Sequence, residues 1–280
     1  TFQSMSYTID VYRRDLLPET NFGIMATYVA FFPQLVAGPI ERATNLLPQF
    51  HQEQTFDEDH AVSGLQLILW GFFKKVVIAD RLAIYVNAVY NNVDEYSGAI
   101  LILATLFFTF QIYCDFSGYS DIAIGTARIM GFDLMENFRQ PYFAQSVREF
   151  WGRWHISLST WLRDYLYIPM GGSRRGSVFS VIFSIGIVFF AGLMFREGEE
   201  VINLGVLFLG SGALMMMYAS GVMFTKWGVK LATYINILAT MIIGGLWHGA
   251  SWNYIIWGAF HGTFLILDRL FLKKIILKYL

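Results

Sequence analysis

The chain has 280 residues, of which 55% are apolar or aromatic and 15% are charged, and its mean hydropathy is +0.47. This composition is too apolar for an ordinary soluble domain and indicates a membrane protein with several spans. A net charge of −1 gives no reason to expect a nucleic-acid partner. The single cysteine, Cys114, excludes an intramolecular disulfide and a cysteine-based metal cluster, and we expect no bound metal.

The first sixty residues combine an apolar stretch with polar connections. Residues 20–40 carry no charge, but Pro33 and Pro39 each remove a backbone donor and clash with the preceding turn. The stretch FFPQLVAGPIER therefore predicts a helix that runs into a re-entrant or interfacial segment. Residues 43–59 are interpreted as a polar connector, and His51 is expected to be solvated.

Two long apolar patterns follow, and both contain ionisable residues. In residues 61–90 the pattern is interrupted by Lys74 and Lys75, whose stems are expected to snorkel near one membrane face. Residues 96–114 have no charge and are long enough to span a bilayer. They continue into YCDFSGYSDIAIG, where carboxylates beside apolar helix favour hydrogen bonding between helices over direct chemistry. The polar network predicted here comprises Asp115, Ser117, Tyr119 and Asp121.

The next segment mixes arginines with tryptophans and tyrosines. Ser146 and Glu149 have the spacing of a capping box, which predicts that a helix begins there. On a continuous helix Trp151, His155 and Ser159 fall on one face, so that an imidazole and a hydroxyl lie side by side. Such helices lie along a membrane surface or roof a cavity. From periodicity alone, an interfacial role for His155 is favoured over a catalytic one.

The remaining apolar runs are residues 176–195, residues 201–225 and a long run between Lys230 and Asp268 that contains no charged residue. The last run is long enough for two spans, which brings the expected total to six to eight membrane segments. The composition and these runs predict an all-α polytopic membrane protein, with a single membrane-embedded domain over residues 1–280.

The long run contains His248 in the sequence GGLWHGA. We expect the glycines around it, Gly244, Gly245 and Gly249, to break the helix. A break at membrane depth frees backbone groups that must be buried in protein or line a watery cavity, so His248 is expected inside the protein. An ionisable residue at that depth is a hypothesis for a functional site, and a purely structural hydrogen bond is equally compatible with these features.

Five stretches read together resemble the membrane-bound O-acyltransferases, in particular the bacterial alginate O-acetyltransferase branch. They are TFQSMSYTIDVYRRD, FFPQLVAGPIERATNLLPQF, YCDFSGYSDIAIG, REFWGRWHISLSTWLRDYLYIPMGGSRRG and GGLWHGASWNYIIWGAFHG. The resemblance covers residues 1–176 and 229–272. It implies a fold of transmembrane and interfacial helices around a buried tunnel. It also implies that His248 is the family's essential histidine and that His155 is its second signature histidine.

The resemblance further implies a function in the inner membrane of a bacterium. An acetyl group from a cytoplasmic thioester, acetyl-coenzyme A or a similar donor, is passed toward hydroxyls of an exported polysaccharide, as in alginate O-acetylation. The implied partners are the lipid bilayer, a separate extracytoplasmic acetyltransferase and the polysaccharide. The donor is a substrate, and no bound cofactor is expected.

The chemistry of the residues agrees with such a transfer. A neutral imidazole near pH 7 suits the removal of the proton from an attacking hydroxyl, which assigns His248 as base or relay. Trp247, Asn253 or His155 could donate to the oxyanion. Four arginines could meet the phosphates of coenzyme A, although solvated interfacial arginines are the more frequent outcome. These are Arg153, Arg163, Arg174 and Arg175.

The segment order departs from the family pattern at residues 177–228, which lie between GGSRRG and the helix that contains His248. The family's N-terminal helices are also expected to be missing. Both features bear on activity more than on fold. The alternatives are D-alanyl transfer or lipid or protein O-acylation within the same superfamily and, from other classes, a transporter with a histidine relay or a non-catalytic membrane scaffold.

Overall fold

A computed structural model describes residues 2–35, 38–174, 177, 182–183, 186 and 225–272. Every element bounded in these ranges is helical, which confirms the all-α prediction. The α-helices are α1 (Phe2–Arg13), α2 (Phe22–Ala30), α3 (Ala43–Phe50), α4 (Glu58–Phe72), α5 (Asp80–Tyr90), α6 (Gly98–Ile129), α7 (Val147–Arg153), α8 (Ile156–Leu162), α9 (Lys226–His248) and α10 (Trp252–Leu267). Turns of π-helix, Phe73–Ala79, Arg163–Tyr167 and Asp268–Leu272, follow α4, α8 and α10.

Contacts divide the chain into two compact units. The first comprises Thr1–Tyr142 and Trp151–Leu158, and the second comprises Phe143–Phe150 and Ser159–Leu280. The single domain expected over residues 1–280 and the buried tunnel stay predictions.

Within the residues that the structure describes, three helical stretches are long and apolar enough to cross a membrane. They are Glu58–Tyr90, Gly98–Ile129 and Lys226–His248. At a rise of about 1.5 Å per residue, even the shortest exceeds the ~30 Å of a hydrocarbon layer. The helices predicted at residues 61–90 and 96–114 are therefore confirmed, and each lies in a stretch long and apolar enough to span a bilayer. Those predicted at 176–195 and 201–225 lie almost entirely outside the described residues, so the total of six to eight is not tested.

The N-terminal elements pack around a small aromatic core. Phe31 has its ring centroid 5.3 Å from that of Phe50 and 5.1 Å from that of Phe132, and Leu46 and Leu47 are buried beside them. The interpretation of this region as a polar connector is wrong because it contains α3. That helix places apolar residues three, four and seven positions apart, which is the spacing of one buried helical face.

Prolines and caps act as the sequence predicts. α2 ends at Ala30, ahead of Pro33, and a 3-10 turn follows it at Phe32–Gln34. At the start of α7 the backbone N–H of Glu149 donates to Ser146 Oγ over 3.1 Å. The Glu149 carboxylate accepts in return from the N–H of Gln145, one residue before the cap, over 2.8 Å. Both helix boundaries are confirmed.

Helices α4 and α6 approach each other closely at two pairs of glycines. A Cβ atom placed on Gly71 would lie 2.5 Å from the carbonyl oxygen of Gly118, and one placed on Gly125 would lie 2.5 Å from that of Gly64. The two glycines on each helix are seven residues apart and therefore share a face. Small residues allow close backbone packing, which matters in lipid because burial there brings no hydrophobic gain.

We expect Gly71→Ala to destabilise the first unit. Its methyl group cannot fit against the Gly118 backbone, and overpacking of this kind costs about 1–3 kcal/mol. The free energy of unfolding in detergent measures the loss. Gly98→Ala is the matched control, because a Cβ at this first residue of α6 meets nothing within 4 Å. Equal losses of unfolding free energy in the two variants would contradict the close approach of α4 and α6.

Candidate active site

His155 lies at a break between α7 and α8. α7 ends at Arg153 and α8 begins at Ile156, while the backbone of His155 has a positive φ of 43°. The predicted continuous helix, with His155 and its neighbours on one face, is therefore wrong. The break comes from a distant segment: the N–H of Ile156 donates to the Asn137 carbonyl, and that of Arg139 donates to the Arg153 carbonyl, each over 2.9 Å. A periodic pattern cannot reveal such partners.

The side chain of His155 is buried, with 5% exposure, in a polar cluster that the sequence analysis missed. Its Nδ1 lies 3.1 Å from the side-chain oxygen of Asn137. That oxygen also accepts from the Ser157 hydroxyl over 2.9 Å and from the Ser157 N–H over 3.2 Å. The amide nitrogen of Asn137 donates to Ser120 Oγ over 3.1 Å. The favoured interfacial role for His155 is thus wrong. The cluster joins residues from three separate segments, and no local spacing links them.

Aromatic rings flank the same imidazole. The ring of Phe116 meets it edge-on at 4.7 Å between centroids, and that of Phe138 is nearly parallel to it at 6.5 Å. Phe116 and Ser120 both belong to α6, so this long helix supplies apolar and polar neighbours of His155 together.

The same part of α6 forms a network of charges with the π-helical turn after α4. The Lys74 ammonium lies 2.6 Å from the Asp121 carboxylate and donates to Ser117 Oγ over 3.0 Å. Lys75 lies 2.6 Å from Asp115 and 2.7 Å from Asp80. The side chain of Tyr119 is exposed. Together with Lys75 and Asp115, it lines a cavity beside these charges.

The expectation that Lys74 snorkels is wrong, because its side chain is only 7% exposed. The π-helical turn Phe73–Ala79 changes the helical register at this point, and the Lys74 ammonium meets partners on α6. A buried ammonium needs such partners, since neither lipid nor an apolar interior can hydrogen-bond it.

His248 is the last residue of α9, and the predicted break lies after it. α9 continues through Gly244 and Gly245, so the expectation that these glycines interrupt the helix is wrong. A Cβ on Gly245 would lie 2.1 Å from the Tyr254 carbonyl oxygen, and one on Gly258 would lie 2.3 Å from that of Met241. These glycines allow α9 and α10 to pack closely.

The imidazole of His248 is exposed, which contradicts the expectation that it lies inside the protein. It extends from the final turn, where Gly249 has an extended backbone and the helix ends. Three aromatic rings surround it: Trp247 at 4.9 Å, Tyr254 at 6.0 Å and Trp257 at 5.3 Å between centroids. Among the described residues it has no hydrogen-bond partner.

The other candidate residues differ in their exposure and in their partners. Trp247 and Asn253 are exposed on either side of the turn between α9 and α10. Arg163 is exposed and paired with Asp164 at 2.7 and 3.2 Å, and this carboxylate raises the pKa of the guanidinium.

Arg153 is partly buried and Arg174 is exposed, while Arg175 lies outside the described residues. In the part of the chain that the structure describes, no group of three or more His, Cys, Asp or Glu residues is arranged to hold a metal ion.

These features define a helical membrane protein in which the buried His155 and the exposed His248 are each set among aromatic rings. The profile of the MBOAT, membrane-bound O-acyltransferase family matches residues 18–195, more than half of the chain. The chain belongs to this family.

Individual relatives include acetyltransferases and a D-alanyltransferase. The chain is 42% identical over 269 residues to the probable alginate O-acetylase AlgI of Azotobacter vinelandii, covering 96% of this chain and 43% of that protein. It is 32% identical to the peptidoglycan O-acetyltransferase of Helicobacter pylori, covering 96% and 46%. It is 26% identical to the teichoic acid D-alanyltransferase of Streptococcus thermophilus, covering 98% and 56%. The chain thus spans about half the length of the curated relatives it matches.

The match to the Azotobacter protein bears on the order of segments. Because it covers 96% of the chain, it includes most of residues 177–228. It does not support the expected rearrangement of this segment.

Proposed function

We propose that this protein is a bacterial membrane O-acetyltransferase that passes an acetyl group from an acyl thioester toward hydroxyls of an exported polysaccharide. The observation that carries the proposal is the 42% identity to an alginate O-acetylase over a match that extends through both His155 and His248. The lower identity to a D-alanyltransferase, 26%, makes D-alanyl transfer the second candidate.

In the proposed reaction the acceptor hydroxyl attacks the thioester carbonyl carbon. His248 removes the hydroxyl proton as the new C–O bond forms, and the imidazolium returns that proton to the thiolate when the C–S bond breaks. An exposed imidazole at a helix end can be reached by both reactants. The indole N–H of Trp247 and the amide of Asn253 are the proposed donors to the oxyanion.

The arginines have separate proposed roles. Arg174, with Arg175, would bind the phosphates of the donor, acetyl-coenzyme A or a similar thioester. Arg163 is the weaker candidate, since its guanidinium already forms two hydrogen bonds with Asp164. Arg153 would serve the donor only if it leaves its partly buried position.

The proposed setting is the bacterial inner membrane, which the chain crosses several times. The thioester is supplied from the cytoplasm, and the acetyl group leaves on the opposite side to an extracytoplasmic acetyltransferase, which completes the transfer to the polysaccharide. A transporter and a non-catalytic scaffold are the competing functions.

The test is acetyl transfer by the purified chain in lipid vesicles, with radiolabelled acetyl-coenzyme A as donor. We expect label in an acceptor or in released acetate, increased by the extracytoplasmic acetyltransferase. D-alanyl thioester donors are assayed in parallel and should be poorer. No label from any donor, with the partner present and insertion verified by protease protection, would overturn the proposal in favour of a scaffold or a transporter.

A further inference from the structure

We propose that Asn137 is a positioning residue, which holds His155 with its proton on Nδ1 so that Nε2 is the acceptor nitrogen of the ring. The consequence for acetyl transfer rests on the proposed function, whereas the tautomer rests only on contacts within the first unit.

The atoms around Asn137 fix the orientation of its side-chain amide. Its oxygen and nitrogen are similar in size, so their positions must be assigned from their neighbours. The backbone N–H of Ser157 can only donate, and it lies 3.2 Å from one of the two amide atoms. That atom must therefore be the oxygen. The amide nitrogen then faces Ser120 Oγ, which as a hydroxyl can accept.

The side-chain oxygen of Asn137 fixes the tautomer of His155. Nδ1 lies 3.1 Å from the Asn137 oxygen, which has lone pairs and no hydrogen. Only a protonated Nδ1 makes a favourable contact there. Neutral imidazole carries one ring proton, so Nε2 keeps its lone pair. Neutral His155 can thus accept a proton or a hydrogen bond at Nε2, and it cannot donate to an oxyanion from that atom.

Burial and further hydrogen bonds hold Asn137 and His155 in this arrangement. Asn137 is 1% exposed, and both serines that bond its side chain are fully buried. Its backbone carbonyl also bonds the N–H of Ile156, so one residue fixes both the break before α8 and the ring beside it. A left-handed backbone is unfavourable for a residue other than glycine, and these contacts offset that cost at His155. The edge-on contact with Phe116 further restricts rotation of the ring.

The tautomer can be measured without any activity. The full chain is labelled with ¹⁵N-histidine and studied by NMR in lipid at a pH where His155 is neutral, and His155→Gln identifies its signals. We expect the wild-type Nδ1 to carry the proton and Nε2 to be bare. Asn137→Ala should yield a mixture of tautomers. Asn137→Asp, which keeps an acceptor oxygen, should retain the Nδ1 proton. A wild-type ring with its proton on Nε2 would overturn the proposal.

Transfer kinetics supply a second readout. We expect Asn137→Ala to lower kcat by about 10²-fold with little change in KM, as the misplacement of a side chain in an active site does. Asn137→Asp should restore much of kcat. It should also move to higher pH the loss of activity that protonation of His155 causes, because a carboxylate stabilises the imidazolium and Nε2 accepts a hydrogen bond only in the neutral ring. An unshifted pH profile, with the Asp variant folded, would count against Asn137 acting through His155.

Asn236→Ala is the matched control. Asn236 is also a fully buried amide, and it donates to the carbonyls of Met170 and Gly172 in the second unit. The Asn236→Ala variant should lower the free energy of unfolding and leave the NMR signals of His155 unchanged. If the signals respond to Asn137 as expected while no variant and no wild type transfers acetyl, the proposed function fails and the positioning by Asn137 stands. If the chain transfers acetyl but the His155 signals do not respond to Asn137, the proposed function stands and the positioning by Asn137 fails.

Discussion

His248→Ala should reduce acetyl transfer by about 10²- to 10⁴-fold, the contribution of a general base, while the chain still folds and inserts. The fold is expected to survive because the imidazole is exposed at the end of α9, where it lies among aromatic rings. Initial rates with radiolabelled acetyl-coenzyme A, at saturating donor and in the presence of the extracytoplasmic acetyltransferase, measure the loss.

His60→Ala controls for the loss of an exposed histidine. His60 lies in the first turn of α4, and its side chain is exposed. This variant should transfer acetyl at the wild-type rate. Full activity in His248→Ala would remove the proposed base, and an equal loss in both variants would show that the assay reports general damage.

Lys74→Met should destabilise the first unit by about 3–5 kcal/mol, the cost of leaving one member of a buried ion pair without its partner. The methionine fills a similar volume, but the Asp121 carboxylate then lies between α4 and α6 without the ammonium at 2.6 Å. The unfolding free energy in detergent, followed by circular dichroism, measures the effect. The double variant Lys74→Met, Asp121→Asn should recover much of the loss, because neither charge is then buried.

The adjacent lysine is the matched control for this effect. Lys75 has a side chain that is 43% exposed, and its partners Asp80 and Asp115 are about equally exposed, at 47% and 52%. Exposed pairs contribute about 0–1 kcal/mol, so Lys75→Met should have little effect on unfolding. Equal losses at the two positions would mean that burial of the Lys74 pair is not what stabilises the helices.

Lys74 also has a place in the candidate site, because α6 carries both its partners and the neighbours of His155. Ser117 and Asp121 bond Lys74, while Phe116 and Ser120 lie in the surroundings of the imidazole and of Asn137. The charge network therefore fixes the stretch of α6 that supports His155. Residues predicted as polar contacts between helices thus also help to shape the site.

The sequence by itself determined the helical class, two of the long apolar helical stretches and several helix ends. Apolar length, proline and a capping box act through neighbours within a few residues along the chain, and so they can be read without a structure. The two histidines were likewise identified before any geometry was known, since the motifs around them resemble a family to which the chain belongs.

Only the tertiary structure decided where the helix through His155 breaks, which residue orients its ring and where Lys74 finds its partners. Asn137 meets His155 across 18 residues and Lys74 meets Ser117 across 43, distances over which helical periodicity carries no information. Gly244 and Gly245, expected to break α9, lie within it, and Gly245 allows α10 to approach. A glycine permits either outcome, and packing against the neighbouring helix selects between them.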